Sequence, residues 1–270
     1  MNASVILTTY NQPRWLDLVL HGYALQQHAD FELVVADDGS EAATQEIIAH
    51  YQPQFGERLR HVWHTDDGFR KTRIMNQAVT VAQHSYLIFS DGDCIPRPDF
   101  VATHLQRARP GHFLSGGYFK LSSSVSQAIT KAVIASGQAF DPAWLYAQGL
   151  PRTYKSLKLT ARGRLAALLN RFTPTRPSWN GHNSSGWKQD IVRINGFDER
   201  MQYGGEDREL GERLVNAGVR PVQIRYATTV VHLEHPRPYR TRQSLDKNAD
   251  IRATTRENRS VWTNYGIAQS

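Results

Sequence analysis

The chain has 270 residues, with 32 Lys and Arg against 25 Asp and Glu, a formal charge of +7. At 40% hydrophobic residues and a mean hydropathy of −0.51 it is too apolar for wholesale disorder and long enough to bury a core. A single cysteine, Cys94, excludes a disulfide scaffold, and no apolar run approaches the roughly 18–20 residues that span a bilayer.

Residues 4–9 form a β-rich run apolar enough for a buried strand, broken by Tyr10-Asn11-Gln12-Pro13. Residues 15–27 have helical spacing, with Trp15, Leu16, Val19, Leu20 and Tyr23 on one side. A second buried strand over 31–36 stops at the turn Asp37-Asp38-Gly39-Ser40. A helix over 44–51, a strand over 59–64, a helix over 72–83 and a strand over 86–89 follow, the last ended by Ser90-Asp91-Gly92-Asp93. This alternation predicts an α/β fold with a mostly parallel, Rossmann-like central sheet flanked by helices. The polar breaks after the strands would share the carboxyl-end rim, where open parallel sheets bind ligands.

Past Phe100 the alternation stops. Residues 113–120 read as one strand and 125–172 as mostly helical, with Leu157, Ala161, Leu165, Leu168 and Phe172 sharing a face. Residues 173–188 read as a loop, 207–217 as a helix and 222–231 as a strand region. A polar tail after Pro236 is expected to pack over the surface. The division is 1–120, 121–235 with a basic helical insertion at about 143–176, and a basic tail over 236–270.

Charge is uneven. No acidic residue falls between Ala143 and Gln189, where eight Lys and Arg do, and a second basic stretch runs from Arg237 to Arg259. Such concentration serves solubility or meets an anionic partner. A lone thiol suits a reducing compartment, so the expected location is the cytoplasm. The N-terminal residues carry strand character and no basic leader, so they are expected to belong to the fold.

Two carboxylates separated by glycine, Asp91 and Asp93, can clamp a divalent cation with substrate phosphates; the bland alternative is an Asp-Gly turn. No Walker A and no G-x-G-x-x-G opens a helix, so metal and side chains would hold a nucleotide. Glu206 and Asp207 open a helix after Gly204-Gly205. There the helix dipole should keep them charged, either as base and acceptor contact or as a plain cap. Trp179, Asn180, His182, Asn183, Ser185 and Trp187 mix aromatic faces with amides and hydroxyls, which suits a sugar or ordinary packing.

Together Ser4 to Asn11, Val35 to Ser40 and Asp91-Gly92-Asp93 resemble family 2 glycosyltransferases of the GT-A fold. Asn195-Gly196-Phe197-Asp198-Glu199 with Gly204-Gly205-Glu206-Asp207 resembles the galactosyltransferase-type C-terminal half, also found in bacterial chondroitin polymerases. The resemblance covers residues 4–235.

It implies an inverting enzyme that moves a sugar from a nucleotide donor, UDP by family, to a glycan or lipid-linked acceptor in cell-surface polysaccharide or lipopolysaccharide synthesis. It implies Mn²⁺ or Mg²⁺ held by Asp91, Asp93 and His232, with His235 competing for the last place. Donor contacts fall to Thr8, Tyr10, Asn11, Asp38, Arg70, Lys71, Asn76 and Asp91, while Asp37 instead caps its turn. Arg70 ranks above Lys71 and Arg73, and where family members read Ala-Arg-Asn this chain has Ile74-Met75-Asn76. Asp207 becomes the catalytic base. Acceptor contacts fall to Asn183, Trp187, Gly205 and Glu206. Cys94 is expected to be buried packing. Nucleic acid is not an expected partner: a carboxylate rim would repel it. Contact of the basic segment with an anionic membrane is an expectation of the same reading.

Overall fold

The computed structural model describes residues 1–236 and 239–269. Arg237, Pro238 and Ser270, part of the expected tail, lie outside the described residues. Among the described residues ten strands form two sheets. The large one is built from β1 (Ala3–Thr9), β2 (Phe31–Asp37), β3 (Leu59–Trp63), β4 (Tyr86–Asp91), β6 (His112–Ser115), β8 (Ser184–Trp187) and β9 (Arg220–Gln223), in the order β3-β2-β1-β4-β8-β6-β9. The small one is β5 (Cys94–Pro96), β10 (Thr229–His232) and β7 (Gly117–Lys120), in the order β5-β10-β7.

Strands β3, β2, β1 and β4 are parallel, and β1, β2 and β4 are the apolar runs that burial on both faces predicts. Val5, Leu7, Leu33, Val35 and Ile88 face one core with the helices Pro13–Ala24 and Ala42–Phe55. Ile6, Val34, Ala36, Leu87 and Phe89 face the other with Lys71–Val81 and Glu206–Asn216. The register sets Thr8 beside Asp91 and Thr9 beside Asp37, so the expected rim forms at the ends of β1, β2 and β4.

Five expectations need correction. The supposed strand over 113–120 is two, β6 and β7, in different sheets. The chain breaks at Gly116, where a Cβ would stand 1.9 Å from Asn183 Oδ1. The region over 222–231 likewise splits into β9 and β10. The 173–188 loop contains β8, which runs antiparallel between β4 and β6. The basic insertion is a series of short helices, including Pro142–Ala147, Leu157–Thr160 and Gly163–Phe172. The helix stops after Thr160, where Ala161 turns extended and Gly163 adopts φ 51°. The polar tail holds a 16-residue helix, Arg242–Glu257, packed on Glu206–Asn216. No helix of the described residues is long and apolar enough to cross a membrane.

Candidate active site

β4 ends at Asp91, and the tight turn that follows brings Asp93 back toward the small sheet. Gly92 makes that turn, donating its N–H to Thr8 O at 2.7 Å. Asp91 Oδ1 accepts from Thr8 Oγ1 at 2.6 Å and from Lys71 Nζ at 2.7 Å. Burial would raise the Asp91 carboxyl, but the Lys71 ammonium outweighs it and holds it below the ordinary value.

Lys71 is the hub of the site. Burial alone would lower its pKa. The charges of Asp91, Asp207 and Glu206 outweigh burial and hold it well above the ordinary value. Arg70 does not share this place: its guanidinium is half-exposed and pairs with Asp67 at 2.9 Å. Arg73 is exposed.

Glu206 and Asp207 open their helix as expected, but the anticipated low pKa values do not follow. Burial, then the charge of Asp207, pushes Glu206 up to about 7. Burial and the Asp91 charge likewise raise Asp207. Desolvation of a buried carboxylate exceeds what one helix terminus supplies. Glu206 Oε2 accepts the Gly204 N–H at 2.8 Å. Asp207 is pressed against Gly181, where a Cβ would come within 2.8 Å of Oδ2. Among the described residues nothing donates to the buried Asp207 Oδ1.

Asp93 meets two imidazoles. His235 Nε2 lies 2.6 Å and His232 Nε2 3.5 Å from Asp93 Oδ2, and the two rings are stacked 6.1 Å apart. Burial would raise Asp93, but these imidazoles hold it well below the usual carboxylate range. Asp93, Cys94 and His232 bring ligand atoms within 4.8 Å of one another. Carboxylate and imidazole suit Mn²⁺ better than Mg²⁺. Burial, then the neighbouring carboxylates, raise the Cys94 thiol well above the ordinary value. It packs in the core, as expected, and donates to Asp93 Oδ1. Asp91 is not one of this group of three.

At the ends of β1 and β2, Asp38 accepts from His64 Nε2 at 2.9 Å and from the Arg70 N–H at 3.0 Å, and burial raises it to about 6. Sequence reasoning missed His64, whose distance from Asp38 in the chain leaves no local signal. Asp37 caps its turn, accepting the Ser40 N–H at 2.9 Å. Tyr10 is exposed and donates to Asp66 at 3.0 Å. Asn11 ties the two strand ends together, accepting the Glu41 N–H and donating its own N–H to Ser40 Oγ.

Four expected ligand contacts are placed elsewhere. Asn76 is fully buried and clamps the loop after Asn195. Its Oδ1 accepts the Phe197 N–H at 2.8 Å, and its Nδ2 donates to Phe197 O and Glu199 Oε1. Asn183 is also buried, donating to Gly117 O at 2.7 Å and accepting from His104 Nε2 at 2.9 Å. That orientation leaves His104 Nδ1 to accept from Ser185 Oγ. Trp187 pairs with Tyr86, five residues before Asp91, which is about 17 Å along a strand from the rim. Its indole donates to Arg109 O and packs edge-on to Tyr86. Gly205, with φ 90°, lies against Arg252, where a Cβ would stand 3.1 Å from Cδ. The glycine pair thus serves contact with the C-terminal helix. His182 remains beside the site, its ring 4.5 Å from Tyr118, and burial lowers it to about 4.

Residues 4–128 match the model for Glycosyl transferase family 2, and residues 165–236 that for the N-terminal domain of galactosyltransferase. The chain is 29% identical over 264 residues to validoxylamine A glucosyltransferase of Streptomyces hygroscopicus subsp. jinggangensis, covering 92% of this chain and 59% of the relative. It is 26% identical over 240 residues to hyaluronan synthase of Pasteurella multocida, covering 81% and 23%. It is 23% identical over 235 residues to chondroitin synthase of Escherichia coli, covering 80% and 32%. The chain thus spans less than two thirds of each of these relatives. Among solved structures, mannosyltransferase PcManGT from Pyrobaculum calidifontis, a complex with GDP-Man and Mn²⁺, superposes with a TM-score of 0.57 at 17% identity, over 88% of this chain and 58% of that one. S. aureus TarS in complex with UDP-GlcNAc superposes with a TM-score of 0.58 at 16% identity, over 88% and 60%. The expected GT-A fold is observed. The resemblance read from the motifs is borne out in both halves.

Proposed function

Taking the two halves as what they resemble, a family 2 glycosyltransferase followed by a galactosyltransferase-type domain, we propose that the protein transfers a sugar, with inversion, from a nucleotide donor to an acceptor hydroxyl. The observation that carries the reading is the buried cluster of Asp91, Lys71, Glu206 and Asp207 at the β-strand rim, with Asp93 and His232 close by in the chain and the sheets. Such a cluster handles a proton and a departing anion in one place.

Asp207 is the base. Its unpartnered oxygen takes the proton of the acceptor hydroxyl as the hydroxyl oxygen attacks the anomeric carbon, the new C–O bond forms and the bond to the diphosphate breaks. A carboxylate whose pKa is raised takes up a proton more readily than an ordinary one, so its burial serves the role. Glu206 hydrogen-bonds the acceptor. Thr8, Tyr10, Arg70 and Lys71 line the donor side, and Lys71 keeps Asp91 charged.

A divalent cation held by Asp93 and His232, with Asp91 beside them, would supply positive charge for the diphosphate. The donor set favours Mn²⁺. The two solved neighbours carry different nucleotides, so UDP rests on Asp38, whose oxygens can accept from a uracil imide. The acceptor is a glycan or glycolipid of cell-surface polysaccharide or lipopolysaccharide synthesis, and the enzyme works in the cytoplasm.

The test is calorimetric binding and turnover over a panel of nucleotide sugars with Mn²⁺, Mg²⁺ or EDTA. One donor is expected to bind in a metal-dependent way, lost in Asp93→Ala. Asp207→Asn is expected to keep that binding and lose turnover by about 10²–10⁴-fold. Binding with no turnover in the wild type would instead mark an inactive relative. No binding of any donor would sink both readings.

A further inference from the structure

The basic insertion ends in a helix that faces the wrong way. In Gly163–Phe172 the residues Leu165, Leu168 and Phe172 recur at i, i+3 and i+7 and so share one face. That face normally packs on the core. Here the three are 51%, 54% and 71% exposed, while Ala166 is buried and Asn170 Oδ1 accepts the Tyr226 N–H at 2.9 Å. The helix is docked through its small and polar side and offers its apolar side outward. Tyr154 and Leu157, just before it, are exposed as well.

We propose that this outward face is a docking surface for an anionic lipid bilayer, with Leu165, Leu168 and Phe172 entering the acyl boundary and Arg164 and Arg171 meeting headgroup phosphates. Charge selects the occupant. Arg164 and Arg171 are exposed along one flank of the apolar stripe, and no acidic residue occurs from Ala143 to Gln189. Two-fold pairing with a second copy would set this cationic rim against itself. An anionic bilayer satisfies the apolar and the cationic parts together. The field is already crowded with cations: Lys158 is lowered to about 8, by burial first and then by Arg225 and Lys155.

The short helix just before this one, Leu157–Thr160, reaches the candidate active site. Lys158 Nζ lies 5.8 Å from the centre of the Tyr118 ring, and that ring lies 4.5 Å from His182 and 6.1 Å from His232. The docking itself does not depend on the transfer reaction and is measured without it.

The experiment is co-sedimentation of the full chain with vesicles of phosphatidylcholine alone or with 30% phosphatidylglycerol, in low and high salt. Binding is expected to the anionic vesicles only and to weaken in high salt. The triple variant Leu165→Gln/Leu168→Gln/Phe172→Gln and the double variant Arg164→Gln/Arg171→Gln are each expected to lose about tenfold or more in partitioning. Both change exposed side chains, so the thermal midpoint and circular dichroism should match the wild type. Absence of vesicle binding, equal binding to neutral vesicles, or binding that survives the triple variant would overturn the proposal. So would a concentration-dependent dimer in sedimentation velocity that the triple variant abolishes, since a second copy would then be the occupant.

Discussion

At the scale of single residues, Lys71 does what the carboxylates around it cannot do for themselves. Three carboxylates gathered away from water would otherwise favour their neutral forms. Lys71 lowers Asp91, and it opposes the burial that raises Glu206 and Asp207. Lys71→Met should therefore raise both acids further. With donor saturating, the acidic limb of the pH–rate profile is expected to move up by about 1 unit, and Lys71→Arg should restore it. A lowered thermal midpoint with an unmoved profile would mean that Lys71 only packs. Glu206 gives a second test, on stability. Its pKa is raised to about 7, so the folded state favours the protonated form. That stability is complete below the ordinary carboxylate range and is lost as pH rises through 7. Glu206→Gln stays neutral and can still accept the Gly204 N–H. It should raise the thermal midpoint by about 2–5 °C at pH 8 and hardly at all at pH 5. An equal gain at both values would refute a raised pKa.

At the scale of elements, the side chains of β8 and its flanks decide between packing and recognition. Asn183→Ala would leave His104 Nε2 and Gly117 O without their buried partner, at a cost of about 2–4 kcal/mol. Trp187→Ala should cost about 3 kcal/mol through the lost contact with Tyr86. In both, urea melts should show the loss while the acceptor KM of the remaining folded enzyme stays unchanged. A raised acceptor KM would return either residue to the site. The same elements explain what the sequence could and could not tell. β1, β2 and β4 were legible because strands buried on both faces are continuous apolar runs, and their ends announce the rim with Asp37-Asp38 and Asp91-Gly92-Asp93. β8 was not. Ser184-Ser185-Gly186-Trp187 has no apolar run, because its small residues make room for a neighbour: a Cβ on Gly186 would stand 3.2 Å from Trp179. The carboxylates were readable from position in a strand–turn–helix pattern. Their pKa values were not, since desolvation depends on what distant segments bring over them. The choice of Lys71 over Arg70 likewise turns on which side of a helix start faces inward.

At the scale of the whole molecule, the halves expected at 1–120 and 121–235 share one sheet and the two cores on its faces. β8 and β9 come from the second half, yet β8 covers the edge of β4 and bridges it to β6. Asn76 of the first half holds Phe197 of the second, and Trp179 packs on Phe89 and Phe113. The C-terminal residues add a further clasp: Asn195 donates to Thr263 O and accepts from the Ala268 N–H, each at 2.8 Å. A fragment of residues 1–120 would expose the hydrogen-bonding edge of β4 and the apolar face around Phe89, a poor basis for a stable fold. We therefore expect the full chain to melt in one cooperative transition seen alike by near- and far-ultraviolet circular dichroism. The 1–120 fragment should show no cooperative melt and should aggregate. A fragment that unfolds reversibly with its own sharp midpoint would mean that the first half folds alone, and that β8 and the Asn76 clasp join a sheet already made.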